Sequence, residues 1–379
     1  MYRSSYNDDK EPIKVLVVDD SPLMQRAIKS LVELDKNIKV IEVASNGREA
    51  IRLARMLKPD VITLDINMPE LDGLSVLKVL IQEEIAPIIV VSIITQKEAP
   101  VTYEALEYGA FDYVPKPIDE SWNALEFGRE LREKIILAYV QAKKSAILHK
   151  LAEERFTLMK KEGRKKPSEK KDIYQVMESR VVDFYGVGIG ISTGGPKNIY
   201  DVLPPLPSNL NAAIFVVQHM PPFFTKQYAE HLDNYCQMKV LHAEDGMVVA
   251  PGNVYVAQGG FHLTLERNEE KLVIRLASEP KHTFMPSADV TLSSIAKAFR
   301  EKSIGIIMTG MGNDGVEGLA EIKKAGGLCF AESEETAIVF GMPKEAVKAG
   351  VVDKVLPSYA MPEEIIKTVG TVKAENCQA

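Results

Sequence analysis

Short apolar runs alternate along the chain with segments whose apolar residues recur every three or four positions. In the first third the runs are IKVLVV (13–18), KVIEVA (39–44), VITLD (61–65), PIIVVS (87–92) and DYVPK (112–116). Near-continuous hydrophobicity over so short a length predicts strands covered on both faces. Between them, stretches such as SPLMQRAIKSLVEL and NGREAIRLARMLK carry the helical period. Strand and helix in strict alternation predict a flavodoxin-like α/β unit, a five-stranded doubly wound parallel sheet.

A second alternation begins at residue 181. VVDFYGVGIGI, AAIFVVQHM (212–220), VYVAQ, SIGIIMTG (303–310), LCFAES and DKVLP predict strands. TKQYAEHLDNYC, SADVTLSSIAKAFR and VEGLAEIKKA predict helices, the last stopped by Gly326-Gly327, and NIYDVLPPL predicts a helix and loop. HLTLERNEEKLVIRLA alternates with period two and predicts a hairpin turning near Asn268. This half therefore predicts a mostly parallel, doubly wound α/β domain with a β-hairpin. Between the halves, residues 119–180 carry a helical pattern that runs into the polar, lysine-rich KKEGRKKPSEKKD. The expected division is 12–120, a helical and basic linker over 121–180, and 181–372.

A length of 379 residues fits two domains or a little more, and 46% hydrophobic with 26% charged residues fits a soluble globular chain. The net charge of −7 argues against nucleic acid as the main partner. Residues 141–180 invert that sign, with 12 Lys/Arg against 6 Asp/Glu, which reads as a solvated interdomain linker before it reads as a dock for an acidic partner or anionic membrane. Cys236, Cys329 and Cys377 are too few and scattered for a disulfide framework or a zinc site. The N-terminus is polar, and no run approaches the ~18 apolar residues of a membrane span. A cytoplasmic protein without membrane insertion is expected.

Polar residues collect at the carboxyl ends of the first five predicted strands: Asp19 and Asp20, Asp65, Ser92 and Lys116. In a doubly wound sheet those ends form one crevice. Carboxylates gathered there repel one another unless a divalent cation neutralises them, and oxygen ligands favour Mg²⁺. In the second half, Gly190, Ser192 and Gly194 fit the G-x-S-x-G pattern of a serine on a tight strand-to-helix turn. A glycine-rich turn without chemistry, or a phosphate-cradling loop, has the same pattern. The G-x-G-x-x-G dinucleotide fingerprint fails, since Thr193 stands where the third glycine belongs. His219 and Asp314 also lie just beyond predicted strands that lead into helices, so hydroxyl, imidazole and carboxylate could converge. His149 and His231 fall on helices and His242 is a weaker candidate, leaving His262 and His282, both expected in loops, as the rivals to His219.

The residues from 12 to 120 resemble a response-regulator receiver domain through Asp19-Asp20, Asp65 in LDINMPELDG, Ser92 and Lys116-Pro117. The resemblance implies phosphorylation of Asp65 by a histidine kinase, with Mg²⁺ held by Asp19, Asp20, Asp65 and the Asn67 carbonyl. It implies that Ser92 and Lys116 contact the phosphoryl group and that Tyr113 couples it to an output surface. Tyr113 equally fits a strand aromatic in the core. The second half, through GISTGGP, VVQHMPPFFT, EDGMVVAPGNVYVAQGG, MTGMGNDGVEG and VFGMP, resembles the catalytic domain of chemotaxis-receptor protein-glutamate methylesterases. That resemblance implies a Ser192, His219, Asp314 triad, an oxyanion hole near Thr193 and Met311, and no cofactor for the ester chemistry. It further implies hydrolysis of glutamate methyl esters and deamidation of glutamines on chemoreceptors, and an unphosphorylated receiver that covers the cleft. Where the family commonly shows His-Arg-Pro-Ser, this chain has Phe284-Met285-Pro286-Ser287 and lacks a cation that would help hold an acidic receptor surface. A non-catalytic response regulator acting through a binding output domain is the alternative class, although no basic helix-turn-helix is evident.

Overall fold

The computed structural model describes residues 11–93, 99–116, 124–156, 184–268 and 271–372. The chain forms two compact units, divided between Asp172 and Ile173. The lysine-rich run expected in the linker, Pro117 and Cys377 lie outside the described residues.

The first unit runs β1 (Ile13–Val18), α1 (Pro22–Val32), β2 (Ile38–Ala44), α2 (Gly47–Leu57), β3 (Val61–Leu64), α3 (Gly73–Gln82), β4 (Ile88–Ile93), α4 (Ala99–Glu107) and β5 (Asp112–Lys116), followed by α5 (Ala124–Phe156). Its sheet has the order β2-β1-β3-β4-β5, with every ladder parallel. Ser21, Asn46 and Asp72 cap α1, α2 and α3 by accepting main-chain N–H groups of the first turn, which ends each strand-to-helix crossing at a defined residue. The residues Phe127, Leu131, Ile135 and Ala138 of α5 are buried in one cluster with Val15, Val17 and Val114 of the sheet.

The second unit runs β6 (Tyr185–Ile191), α6 (Gly195–Val202), β7 (Ala212–Gln218), α7 (Pro222–Asp233), β8 (Lys239–His242), β9 (Asn253–Val256), β10 (His262–Asn268), β11 (Lys271–Ala277), α8 (Ala288–Phe299), β12 (Ser303–Ile307), α9 (Val316–Lys324), β13 (Leu328–Glu332), α10 (Met342–Lys348), β14 (Lys354–Leu356) and α11 (Met361–Val369). The main sheet has the order β14-β13-β12-β6-β7-β9-β8 and is parallel throughout. The hairpin β10–β11 is antiparallel and stands apart from it. The short edge strand β8 was not expected; with one buried residue of four it has little apolar signal.

Beside β6 the strand order reverses: the chain proceeds to β7 on one side and returns later as β12 on the other. Crevices at such switch points, at the carboxyl ends of the strands, are where this architecture binds ligands. The glycines of β6 set how tightly the crevice is built. A Cβ on Gly186 would lie 2.2 Å from the Phe299 ring, on Gly188 2.5 Å from Leu292, and on Gly190 2.7 Å from Ala288. The VGIGI alternation therefore gives β6 a bare face on which α8 lies directly, while Val187, Ile189 and Ile191 are buried.

Candidate active site

Parallel pairing of β6 with β7 sets Ile191 opposite Gln218, so the next residues, Ser192 and His219, emerge side by side. On the other flank the Ser192 N–H donates to the Thr309 carbonyl at 2.9 Å, just past β12. Asp314 follows in the turn that opens α9. The three side chains form one line. His219 Nδ1 is 3.1 Å from Ser192 Oγ, and His219 Nε2 is 2.7 Å from Asp314 Oδ2. The imidazole thus turns Nδ1 to the hydroxyl and Nε2 to the carboxylate. Because Asp314 only accepts, Nε2 carries the hydrogen in the neutral ring and Nδ1 is free to accept the serine proton.

Asp314 is buried, and four further features hold it. Its oxygens accept the Ser287 hydroxyl at 2.7 Å, the Ala288 N–H at 2.7 Å and the Asp289 N–H at 3.1 Å, in addition to the ring. Two of these donors are the first N–H groups of α8, a helix end that favours anions. Burial opposes ionisation of Asp314, but His219 and these donors outweigh it and hold the carboxyl below its usual range. The neighbouring Asp289 goes the other way: burial, with the Asp314 charge beside it, pushes its carboxyl up to about 6. Phe284 stacks flat on the imidazole, with ring centroids 4.2 Å apart and planes at 6°, and so covers one face of His219.

The rival histidines serve elsewhere. His262 is not in a loop but opens β10, fully buried, where its Nδ1 accepts the Ser287 N–H at 3.1 Å and its Nε2 donates to the Pro280 carbonyl at 2.9 Å. It supports Ser287, which in turn supports Asp314, and burial keeps it neutral by lowering its pKa. The Nδ1 of His282, which is in a loop, accepts the Phe284 N–H at 3.2 Å. His242 Nε2 meets the Thr225 hydroxyl at 3.1 Å. Burial pushes the Cys236 and Cys329 thiols up to about 12, leaving neither as a thiolate nucleophile.

The N–H groups of Thr193 and Met311 donate to no acceptor among the described residues. Behind them lies a buried polar layer that sequence reasoning missed. Glu332 accepts the Thr309 N–H and the Asn198 amide, each at 2.7 Å, and the Thr309 hydroxyl donates to the Thr193 carbonyl at 2.9 Å. Only Ser287 had a readable signal, as the Ser of an N-cap before an apolar helix.

In the first unit the strand ends also converge. Lys116 Nζ lies 2.7 Å from Asp19 Oδ2 and 2.6 Å from Asp65 Oδ2, all three buried. Oxygens of Asp19, Asp20 and Asp65 fall within 4.8 Å of one another, and Asp20 is exposed beside its two buried neighbours. This hard, all-oxygen donor set fits Mg²⁺, leaving coordination positions for water and substrate. Burial pushes the Asp65 carboxyl upward, against the pull of Lys116. Asn67, whose N–H donates to Asp65 Oδ1 at 3.2 Å, flanks the site, and Ser92 is buried at the end of β4. Tyr113 is buried too, with Lys134 of α5 5.0 Å from its ring centroid.

One unit with an acidic strand-end crevice completed by lysine, joined to another with a Ser–His–Asp line at a switch point, defines the class: a response regulator with a hydrolase-like output unit. Residues 15–122 match the response regulator receiver domain and residues 187–365 the CheB methylesterase family. The protein-glutamate methylesterase/protein-glutamine glutaminase 3 of Syntrophomonas wolfei is 42% identical over 94% of this chain and 99% of that protein. The Thermotoga maritima protein-glutamate methylesterase/protein-glutamine glutaminase is 40% identical over 94% of this chain and 98% of that protein. The crystal structure of the Thermotoga maritima CheB methylesterase catalytic domain is similar at 45% identity, covering 49% of this chain and 100% of that one with a TM-score of 0.49. The chain belongs to the CheB family of protein-glutamate methylesterases/protein-glutamine glutaminases.

Proposed function

We propose that the protein hydrolyses glutamate γ-methyl esters on the cytoplasmic helices of chemoreceptors, deamidates glutamines there, and does so under the control of phosphorylation at Asp65. The hydrogen-bonded line from Ser192 through His219 to Asp314 carries this reading. Ser192 Oγ attacks the γ-carbonyl carbon while its proton passes to His219 Nδ1. The carbonyl oxygen becomes an oxyanion facing the Thr193 and Met311 N–H groups. Asp314 stabilises the imidazolium, which returns its proton to the departing methoxide, releasing methanol and leaving an acyl-enzyme. Water then attacks the acyl carbon, giving up its proton to His219, and Ser192 is regenerated with a free glutamate side chain. With glutamine the leaving group is ammonia.

In the receiver, Asp65 is the proposed phosphoryl acceptor from a chemotaxis histidine kinase. Asp19, Asp20, Asp65 and the Asn67 carbonyl would hold Mg²⁺, which when bound screens the incoming phosphoryl charge. Lys116, whose Nζ lies 2.6 Å from Asp65 Oδ2, and Ser92 would contact the phosphoryl oxygens, and Tyr113 would couple β5 to α5. The proposed division of labour keeps the receiver within 12–120, the connector within 121–180 and the catalytic domain within 181–372. No helix among the described residues is long and apolar enough to cross a membrane. Methanol release from methylated receptor membranes tests the reading. Ser192→Ala should reduce it by several orders of magnitude, while acetyl phosphate still labels Asp65. Normal methanol release from that variant would show another nucleophile.

A further inference from the structure

Each N–H offered to the oxyanion belongs to a peptide unit whose carbonyl is gripped from the opposite side by two donors. The Ser192 carbonyl accepts the Gly195 N–H at 2.8 Å and Gln218 Nε2 at 3.0 Å. The Gly310 carbonyl accepts the Gly341 N–H at 3.1 Å and the Met342 N–H at 2.8 Å. In a trans peptide, C=O and the following N–H point in opposite directions, so anchoring the oxygen aims the hydrogen. The grip on Ser192 aims the Thr193 N–H, and the grip on Gly310 aims the Met311 N–H.

Three of the four donors are main chain. The fourth is Gln218, the last residue of β7, 2% exposed and not part of the proton line. Its amide faces two acceptors, the Ser192 carbonyl and, at 3.4 Å, that of His219, which determines that nitrogen and not oxygen points at the turn. The oxygen lies over Gly195, where a Cβ would come within 2.2 Å of it. The close fit holds the amide against the turn. Without Gln218 the Ser192–Thr193 peptide keeps only the Gly195 bond, a short-range contact inside a turn whose Gly194 is already left-handed, at φ 78°. A peptide rotation there would turn the Thr193 N–H away from the reacting carbon without disturbing the Ser–His–Asp line.

We propose that Gln218 is the positioning residue of the oxyanion hole: its side-chain amide holds the Ser192 carbonyl so that the Thr193 N–H meets the tetrahedral intermediate. The inference rests on Ser192 being the nucleophile. Because the intermediate carries the charge and the bound ester does not, loss of Gln218 acts on kcat and leaves KM in place.

The test uses the full chain with acetyl phosphate in every arm. A peptide bearing a glutamate γ-methyl ester is the substrate, and a peptide trifluoromethyl ketone, which adds serine to form an oxyanion, is the analogue. Gln218→Met keeps the length and removes the donor; Gln218→Glu keeps the shape and sets an acceptor against the Ser192 carbonyl. Removing an oxyanion donor outright costs roughly 10²–10³ in kcat, so misaiming one is expected to cost on the order of 10- to 100-fold. The expected result is that loss in kcat for Gln218→Met at unchanged KM, a matching loss in affinity for the ketone, and a larger loss for Gln218→Glu. Melting of both variants is followed, and if the methionine variant does not fold, the isosteric glutamate variant decides. Unchanged kcat, a loss confined to KM, or unaltered ketone affinity overturns the role. Ser192→Ala separates the two claims. If that variant still turns over, the nucleophile assignment fails; if it is inactive while Gln218→Met behaves as the parent, only the role of Gln218 fails.

Discussion

At the scale of single residues, the site is a contest between burial and pairing, and Asp314 and Asp289 settle it in opposite senses. Asp314 stays ionised because the His219 ring, a hydroxyl and two helix N–H groups compensate its burial. A carboxyl held below its ordinary value stabilises the fold above about pH 4 and loses that contribution as pH falls. Asp289 lies beside that charge and accepts the Gly318 N–H at 2.8 Å, and its carboxyl is pushed up to about 6. Between about pH 4 and 6 the folded chain keeps a proton that the unfolded chain has released, so this residue lowers stability as pH rises through that window. Asp289→Asn keeps the acceptor for Gly318 and removes the titration. Its stability relative to the parent, from denaturant unfolding, should improve between pH 4 and 7 by about 1 kcal/mol, a figure reduced for the partial exposure of the group. A constant difference across that range would show that Asp289 does not titrate there. Asp314→Asn should lower methanol release on the order of 10³- to 10⁴-fold, because an amide in place of the carboxylate neither fixes the tautomer nor stabilises the imidazolium.

At the scale of elements, the pairing of β6 with α8 decides whether the line can form. The helix brings the N–H groups of Ala288 and Asp289 to Asp314 only because it lies on a strand face without side chains. Gly188→Val would drive branched carbons into Leu292 and Ile295, where a Cβ alone would be 2.5 Å and 2.7 Å away. Overpacking of this kind costs about 1–3 kcal/mol. The variant should melt earlier and lose esterase activity by displacing the helix end from Asp314, with phosphorylation of the first unit unaffected. A parental melting temperature would show that the helix can retreat without cost. The run of alternating glycines was visible in the sequence as a strand; that it forms a seat for α8 was not, since the helix that fills it begins only at Ala288, far along the chain from β6.

At the scale of the whole molecule, two α/β units of the same logic carry different chemistry at their strand ends. In one, Lys116 holds two buried carboxylates together; in the other, a carboxylate holds an imidazole. If the first controls the second, Asp65→Asn should keep basal methanol release and lose its stimulation by acetyl phosphate. Equal stimulation of the variant would place the control elsewhere.

Period and strand-end polarity made the fold class legible and marked Ser192, His219 and Asp314 as candidates, with His262 and His282 as rivals; the family resemblance chose among them and alone pointed to Asn67, Tyr113, Thr193 and Met311. Apolar runs bounded by turns locate every strand of both sheets except β8, and residues at the ends of parallel strands share one edge, which brings Ser192, His219 and Asp314 into the same crevice. Local chemistry also marked Asp19, Asp20, Asp65 and Lys116. Other features depended on strand order and register, which join residues far apart in the chain: the Nδ1 of His219 facing the serine, the burial of His262 as a support, the Phe284 ring over the imidazole, and the amide of Gln218 behind the nucleophile. Hydrophobic periodicity constrains which side of an element is buried. Which atom meets which across the sheet edge is set only when the elements pack, and there the tertiary structure alone decided.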